Sequence, residues 1–345
     1  GMRDYFYKFT QEDSDWYVNR YTAMHRPTWT VEERDEKIAM YGSENHPDYR
    51  RNVLGKHGDV QNPLFVLHRL MRCVDLKEDS DYNEEYQHVK VNAEMIEDVG
   101  GDIMNCIDLP MSHTKFKTTW AGMDVGMTNH PSEILVFAED KPKKGEESTL
   151  RLVSRFHLER VSHLNQVALI LWLMNFYKLS AFSMDKTGLG LPMFQHIQEL
   201  ADKDKRIEHA LDRVKGYNFS SKILVDFDQT IPVEEFDGDP VEDTAIRRNV
   251  LEFSSDKLRE FVDSKRLLLP NDRDLIAEFQ GQTYTYDKSG MDMYGRKRFS
   301  QGSFHALDAA RMAILGYVQF GIESFMREHM KVKKQEPVFD SFMQF

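Results

Sequence analysis

Three places in this chain deliver a carboxylate at the end of an apolar element. In Gly122-Met123-Asp124-Val125-Gly126, an apolar run from Thr119 to Val125 carries Asp124 into a glycine turn. A second apolar run, Ile134 to Ala138, answers it after Thr128-Asn129-His130-Pro131-Ser132. The stretch Ala181-Phe182-Ser183-Met184-Asp185 repeats the arrangement, and its Gly188-Leu189-Gly190 loop permits close backbone approach. Near the C-terminus, His305 and Asp308 stand three residues apart and share one helix face, while Leu307, Ala310, Ile314 and Leu315 form the apolar stripe beside it. Hard oxygen ligands converging in this way can hold two divalent cations about 3.5–4 Å apart, one activating water and one stabilising a leaving oxygen. Asp124, Asp185, Asp308 and His305 are therefore the candidate catalytic and metal-binding residues. Each has a structural alternative. Asp124 could cap a β-bend, Asp185 could form an Asx-turn, Asp308 could pair with a buried Arg311, and His305 could serve only as a cap or a satisfied core residue.

Local pattern supplies the elements that would position these groups. Strands are expected at Thr119 to Met127, Ile134 to Glu139 and Leu150 to Glu159, forming an antiparallel meander that leads into a helix from Ser162 to Lys178 with Ser162 as N-cap. A strand at Ala181 to Met184 precedes a helix from Pro192 to Leu200. Beyond an acidic insertion at Val233 to Pro240, a helix is expected over Val241 to Lys265, a short strand at Leu267 to Leu269, a hairpin from Tyr284 to Phe299 around Lys288-Ser289-Gly290, and a last helix from Ser303 to about Met330. Upstream, Thr30 and Glu33 form a capping box that starts a helix running to about Met40. Residues 66–115 read as an acidic connector with one or two short helices.

Composition bounds the possibilities. With 345 residues, 41% hydrophobic and 30% charged, the chain has enough apolar side chains for a substantial core. Its longest apolar run, Val167 to Tyr177, is too short to span a bilayer, so no membrane association is expected. Gly1 ahead of Met2 reads as a scar of tag removal, and there is no apolar leader. Cys73 and Cys106 lack metal spacing, which points to free thiols in a reducing compartment. A net charge of −12 disfavours a protein that coats nucleic acid. Basic groups nonetheless cluster locally at Arg296-Lys297-Arg298, with Lys222 a lesser candidate; these four are the expected phosphate contacts, the alternative for the run being a solvated hairpin edge. Nothing matches a Gly-x-x-x-x-Gly-Lys-Ser/Thr phosphate loop, so ATP hydrolysis is not expected of this chain.

Taken in order, these motifs resemble the C-terminal nuclease of tailed-phage terminase large subunits, the DNA-packaging motors. The family's strand ending Gly-x-Asp-x-Gly is matched at Gly122 to Gly126, its strand-end acid before a Gly-rich loop at Asp185 to Gly190, and its final His-x-x-Asp-Ala helix at His305 to Ala309. Lys265 to Pro270 with Leu275 resembles the passage before that helix, and His46 to Gly58 resembles the stretch following the ATPase core. The likeness runs from about Thr30 to Val318. One departure is Phe304, where some members carry an acid.

The resemblance implies an α/β, ribonuclease-H-like mixed sheet flanked by helices at residues 116–330, preceded by the tail of an upstream ATPase domain at 1–65 and the connector at 66–115, and followed by a tail at 331–345. It further implies an endonuclease dependent on two Mg²⁺ or Mn²⁺ ions that cuts concatemeric double-stranded DNA in the cytoplasm of a bacterial host. Portal protein and the small terminase subunit would be partners in the full motor, and homo-oligomers would form only in the full-length protein. Two other readings stay open: a ribonuclease-H-like packaging or portal-docking module with a silent site, and an actin-like-fold kinase, whose phosphate loop the Asp124 turn also resembles. The kinase would need a second Gly-rich phosphate motif after residue 200, and none is present.

Overall fold

A computed structural model describes residues 22–41, 49, 53–54, 62–77, 79–111, 116, 118–126, 130–140, 148–205, 207–226, 245–287, 296–300 and 302–333. They fall into two compact units, one within 65–280 and 303–345, the other within 1–64 and 281–302.

The larger unit is built on a mixed sheet. Its strands along the chain are β1 (Gln87–Asn92), β2 (Thr119–Asp124), β3 (Ser132–Asp140), β4 (Thr149–Glu159), β5 (Ala181–Asp185) and β6 (Val214–Tyr217); β7 (Lys222–Asp226) and β8 (Ala245–Asn249) form a separate ribbon, and β9 (Leu267–Leu268) returns to the sheet. The spatial order is β1-β4-β3-β2-β5-β6, with β9 also paired to β4. The expected meander is present: β2, β3 and β4 pair antiparallel, after which β5 adds parallel to β2 and β6 parallel to β5. Seven consecutive residues of β3, Ser132 to Ala138, are buried, because helices cover one face and further elements the other. This is the mixed α/β, ribonuclease-H-like sheet flanked by helices.

Helix α1 (His163–Phe176) starts where expected, with the Ser162 hydroxyl accepting from Asn165 N at 3.3 Å. Helix α2 (Gly190–Lys203) follows β5 directly. Helix α3 (Val250–Asp263), capped by Asn249 on Glu252 N at 3.1 Å, starts later than the expected Val241. Ala245 to Asn249 is instead strand, because it finds an antiparallel partner in β7, with Lys222 opposite Asn249. Helix α4 (Arg273–Gly281) and the long helix α5 (His305–Lys333) complete the unit. Residues Ala306, Leu307 and Ala309 to Gly316 of α5 are buried, and Val225, Val250, Phe253, Met312 and Leu315 form a small second core.

Two further differences from the sequence reading concern strands. The stretch read as a connector contributes β1, which pairs parallel with β4 over Gln87 to Asn92, and β6 extends the sheet at its other side. Both are short and owe their strand state to distant partners rather than to local pattern.

In the smaller unit, the helix Val31–Tyr41 begins with Thr30 Oγ1 accepting from Glu33 N at 3.2 Å, while the Glu33 carboxylate pairs with Arg26 instead of closing the capping box. Strands β10 (Tyr284–Asp287) and β11 (Arg296–Phe299) form the expected hairpin. Its turn at Lys288 to Gly290, the acidic insertion and most of His46 to Gly58 lie outside the described residues. Cys73 and Cys106 are free. Among the described residues, no helix is long and apolar enough to cross a membrane.

Candidate metal centre

Strands β2 and β5 run parallel with Met123 opposite Met184, so Asp124 and Asp185 leave the sheet at the same end. Helix α5 lies directly on the backbone of β2. A Cβ on Gly122 would sit 2.0 Å from the Ala309 carbonyl oxygen and 2.2 Å from Ala313 N, which is why the residue two before Asp124 has no side chain. This contact sets the first turn of α5 beside the end of β2, where His305 Nδ1 lies 2.7 Å from Asp124 Oδ2. The loop after β5 is tight for the same kind of reason: a Cβ on Gly190 would meet the Asp185 carbonyl oxygen at 1.9 Å.

Each acid also has a protein partner. Asp185 Oδ1 accepts from Thr187 N at 2.9 Å and from Thr187 Oγ1 at 2.6 Å, the turn that its structural alternative requires. Asp308 Oδ1 is paired with the buried Arg311, as its alternative requires. These bonds occupy one oxygen of each carboxylate. Oδ1 of Asp124, Oδ2 of Asp185 and Oδ2 of Asp308 have no protein partner among the described residues. His305 Nε2 is likewise buried without a hydrogen-bond partner.

The acids feel one another. Burial, reinforced by the charges of Asp308 and Asp185, holds the Asp124 carboxyl above its ordinary range although the His305 bond opposes this. Asp185 is raised by burial and by Asp308, against the bonds from Thr187. The bond to Asp124 raises the His305 imidazole in spite of partial burial. A site in which several carboxylates resist ionising together is one that a divalent cation would relieve. Among the described residues, however, no three His, Cys, Asp or Glu side chains are gathered closely enough to hold a metal by themselves. The donors present are carboxylate oxygens and an imidazole nitrogen, types that a divalent cation takes.

The sequence reading missed the charged residues beside this site. Glu133 is the register partner of Asp124 on β3 and is buried. Its carboxylate accepts from Arg155 Nε at 3.0 Å and Nη2 at 2.9 Å, and it also contacts His157. Arg155 Nη1 reaches Asp272 at 3.2 Å, and Nη2 reaches Glu278 at 3.4 Å. Burial pushes the Glu133 carboxyl up, but the bonds from His157 and Arg155 outweigh it and leave it below the usual range. Burial raises Glu278 to about 7, with Arg155 pulling the other way. The available signal was a charged residue inside each of two apolar strands, Glu133 in β3 and Arg155 in β4.

Lys222 is exposed at the start of β7. Arg296, Lys297 and Arg298 belong to β11 in the smaller unit, where the Lys297 ammonium lies 5.4 Å from the centre of the Tyr284 ring and Arg298 is exposed.

The sheet order, an antiparallel β2-β3-β4 meander extended by parallel β5 and β6, is a ribonuclease-H-like α/β fold. Solved structures similar to this chain include nuclease domains of phage large terminases. The magnesium-bound nuclease of thermophilic phage G20c is 15% identical over 57% of this chain and 80% of that one, with a TM-score of 0.36. The manganese-bound g2p nuclease domain of bacteriophage SPP1 is 17% identical over 60% and 90%, at 0.34. The calcium-bound K428A mutant gp2c of bacteriophage Sf6 is 10% identical over 73% and 98%, at 0.42. No protein-family model and no curated protein matches the chain.

Proposed function

We propose that this chain is the metal-dependent endonuclease part of a viral DNA-packaging terminase, cutting concatemeric double-stranded DNA by two-metal phosphodiester hydrolysis. The observation that carries the reading is that Asp124 and Asp185 end two parallel neighbouring strands while His305, at the start of α5, is bonded to Asp124, and that Asp124, Asp185 and Asp308 each keep one carboxylate oxygen unengaged among the described residues. Asp124, Asp185 and Asp308 would hold Mg²⁺ or Mn²⁺, with His305 as a further ligand or as the group that orients water. Bound cations would supply activated water and charge stabilisation at the phosphate. His305, hydrogen-bonded to Asp124, fixes the orientation of that carboxylate, and the Thr187 and Arg311 bonds do the same for Asp185 and Asp308. Lys222 and Arg296 to Arg298 would contact DNA phosphates. Residues 1–65 would be the tail of an upstream ATPase, with portal protein and small subunit as partners in the host cytoplasm.

The Asp308–Arg311 pair and the Asp185–Thr187 turn also favour a second reading, a silent ribonuclease-H-like docking module. Incubating supercoiled plasmid with the chain and Mn²⁺ or Mg²⁺, without ATP, separates the two. Nicking that excess chelator abolishes supports the nuclease; intact plasmid under all conditions supports the silent module, and cutting that survives the chelator refutes the metal mechanism.

A further inference from the structure

Helix α5 carries both His305 and Asp308, yet it opens without a cap of its own. Its first intrahelical bond runs from Asp308 N to Phe304 O at 2.8 Å, so Phe304 occupies the N-cap position and offers no side-chain acceptor. At an N-cap, a side-chain oxygen ordinarily accepts from the amides two and three residues on. Those amides belong to Ala306 and Leu307, and both are directed at Glu278 Oε2, at 2.8 and 3.4 Å. A residue of α4 thus replaces the missing cap.

Glu278 is itself tied to the sheet. Its other oxygen faces Arg155 Nη2 at 3.4 Å, and Arg155 is held by Glu133, the cross-strand neighbour of Asp124. A set of polar contacts therefore links β3, the strand paired with the one that bears Asp124, to the helix turn that bears His305 and Asp308. We infer that Glu278 is a positioning residue, a cap supplied from another helix that holds the first turn of α5 in register with the end of β2. The inference rests on the metal-centre reading for its consequence in cleavage, but the cap itself can be tested without metal.

The test compares Glu278→Gln, which keeps an oxygen acceptor, with Glu278→Met, which keeps the length and removes the acceptor. Amide hydrogen exchange at Ala306 and Leu307 should match wild type in the Gln variant and accelerate in the Met variant. Loss of a supporting contact behind metal ligands costs about 10–100-fold in metal affinity or activity. The Met variant should therefore need at least about tenfold more Mn²⁺ for half-maximal plasmid cleavage, and the Gln variant should stay near wild type. If the Met variant does not fold, Glu278→Asp, one methylene shorter, replaces it in the same comparison. Unchanged exchange in the acceptor-free or shortened variant, or equal loss in the Gln variant, overturns the proposal. Wild-type protein that shows neither cleavage nor a thermal shift with Mn²⁺ would instead sink the metal-centre reading, and exchange would still decide the cap.

Discussion

Replacing Gly122 by Ala should separate helix α5 from the sheet. The added methyl would lie 2.0 Å from the Ala309 carbonyl oxygen, 2.2 Å from Ala313 N and 2.9 Å from Ala313 Cα, all backbone atoms that no rotamer change can move. Restoring an ordinary 3.4 Å contact at Ala309 O requires a displacement of about 1.4 Å between β2 and α5. Overpacking of this kind costs about 1–3 kcal/mol or more. The same movement shifts His305 and Asp308 relative to Asp124, and a misplacement of about 1 Å can cost about 100-fold in rate. Gly188→Ala is the contrast, because no atom lies within 4 Å of its Cβ position and only its φ of +58° opposes a side chain, a cost of about 1–2 kcal/mol. Denaturant unfolding and Mn²⁺-dependent plasmid cleavage, measured on both variants, check this. A Gly122→Ala protein with wild-type stability and cleavage would refute the helix-on-strand contact as the device that sets the site.

Asn in place of Asp124, Asp185 or Asp308 should abolish cleavage while leaving the circular dichroism spectrum unchanged; a wild-type rate in any one removes that residue from the site. Because burial raises the folded pKa of Asp124, its stabilising form is the protonated one, and stability is lost as pH rises through that pKa. Asp124→Asn should therefore melt higher than wild type at neutral pH without metal, and an unchanged or lower melting temperature would contradict this. Glu278 shows the same sign over a defined window: its carboxyl moves from an ordinary 4.5 to about 7 on folding. Stability fully present below 4.5 should fall as pH rises to 7, by at most about 3 kcal/mol. The Gln variant should lack that slope in pH-dependent urea titrations, and a parallel slope would refute the assignment. Arg155→Met should deprive Glu133 and Asp272 of their shared guanidinium, leaving the His157 and His88 contacts, at a cost of up to about 3–5 kcal/mol; a loss below about 1 kcal/mol in urea unfolding would show that the network is dispensable.

Where the candidate residues stand in the fold was largely legible in the sequence because the signals are local. An apolar run closing on a glycine turn ends a strand wherever its partners lie, so Asp124 and Asp185 could be assigned to strand ends. His305 and Asp308 share a helix face by their spacing alone. Ser162 could be identified as a cap because it bonds an amide three residues away. What tertiary structure decided depends on partners distant along the chain. Ala245 to Asn249 is strand only because β7 pairs with it, and β1 is strand only because β4 receives it. Glu133, Arg155 and Glu278 carry opposing charges from three separate elements, and burial forces them together, since a charge removed from water must find its counter-charge within the fold. Phe304 shows the division clearly. From sequence the helix begins at Ser303, with Phe304 inside it; the structure makes Phe304 the N-cap, and the oxygen it lacks comes from Glu278, which only the packing of α4 against α5 brings within reach.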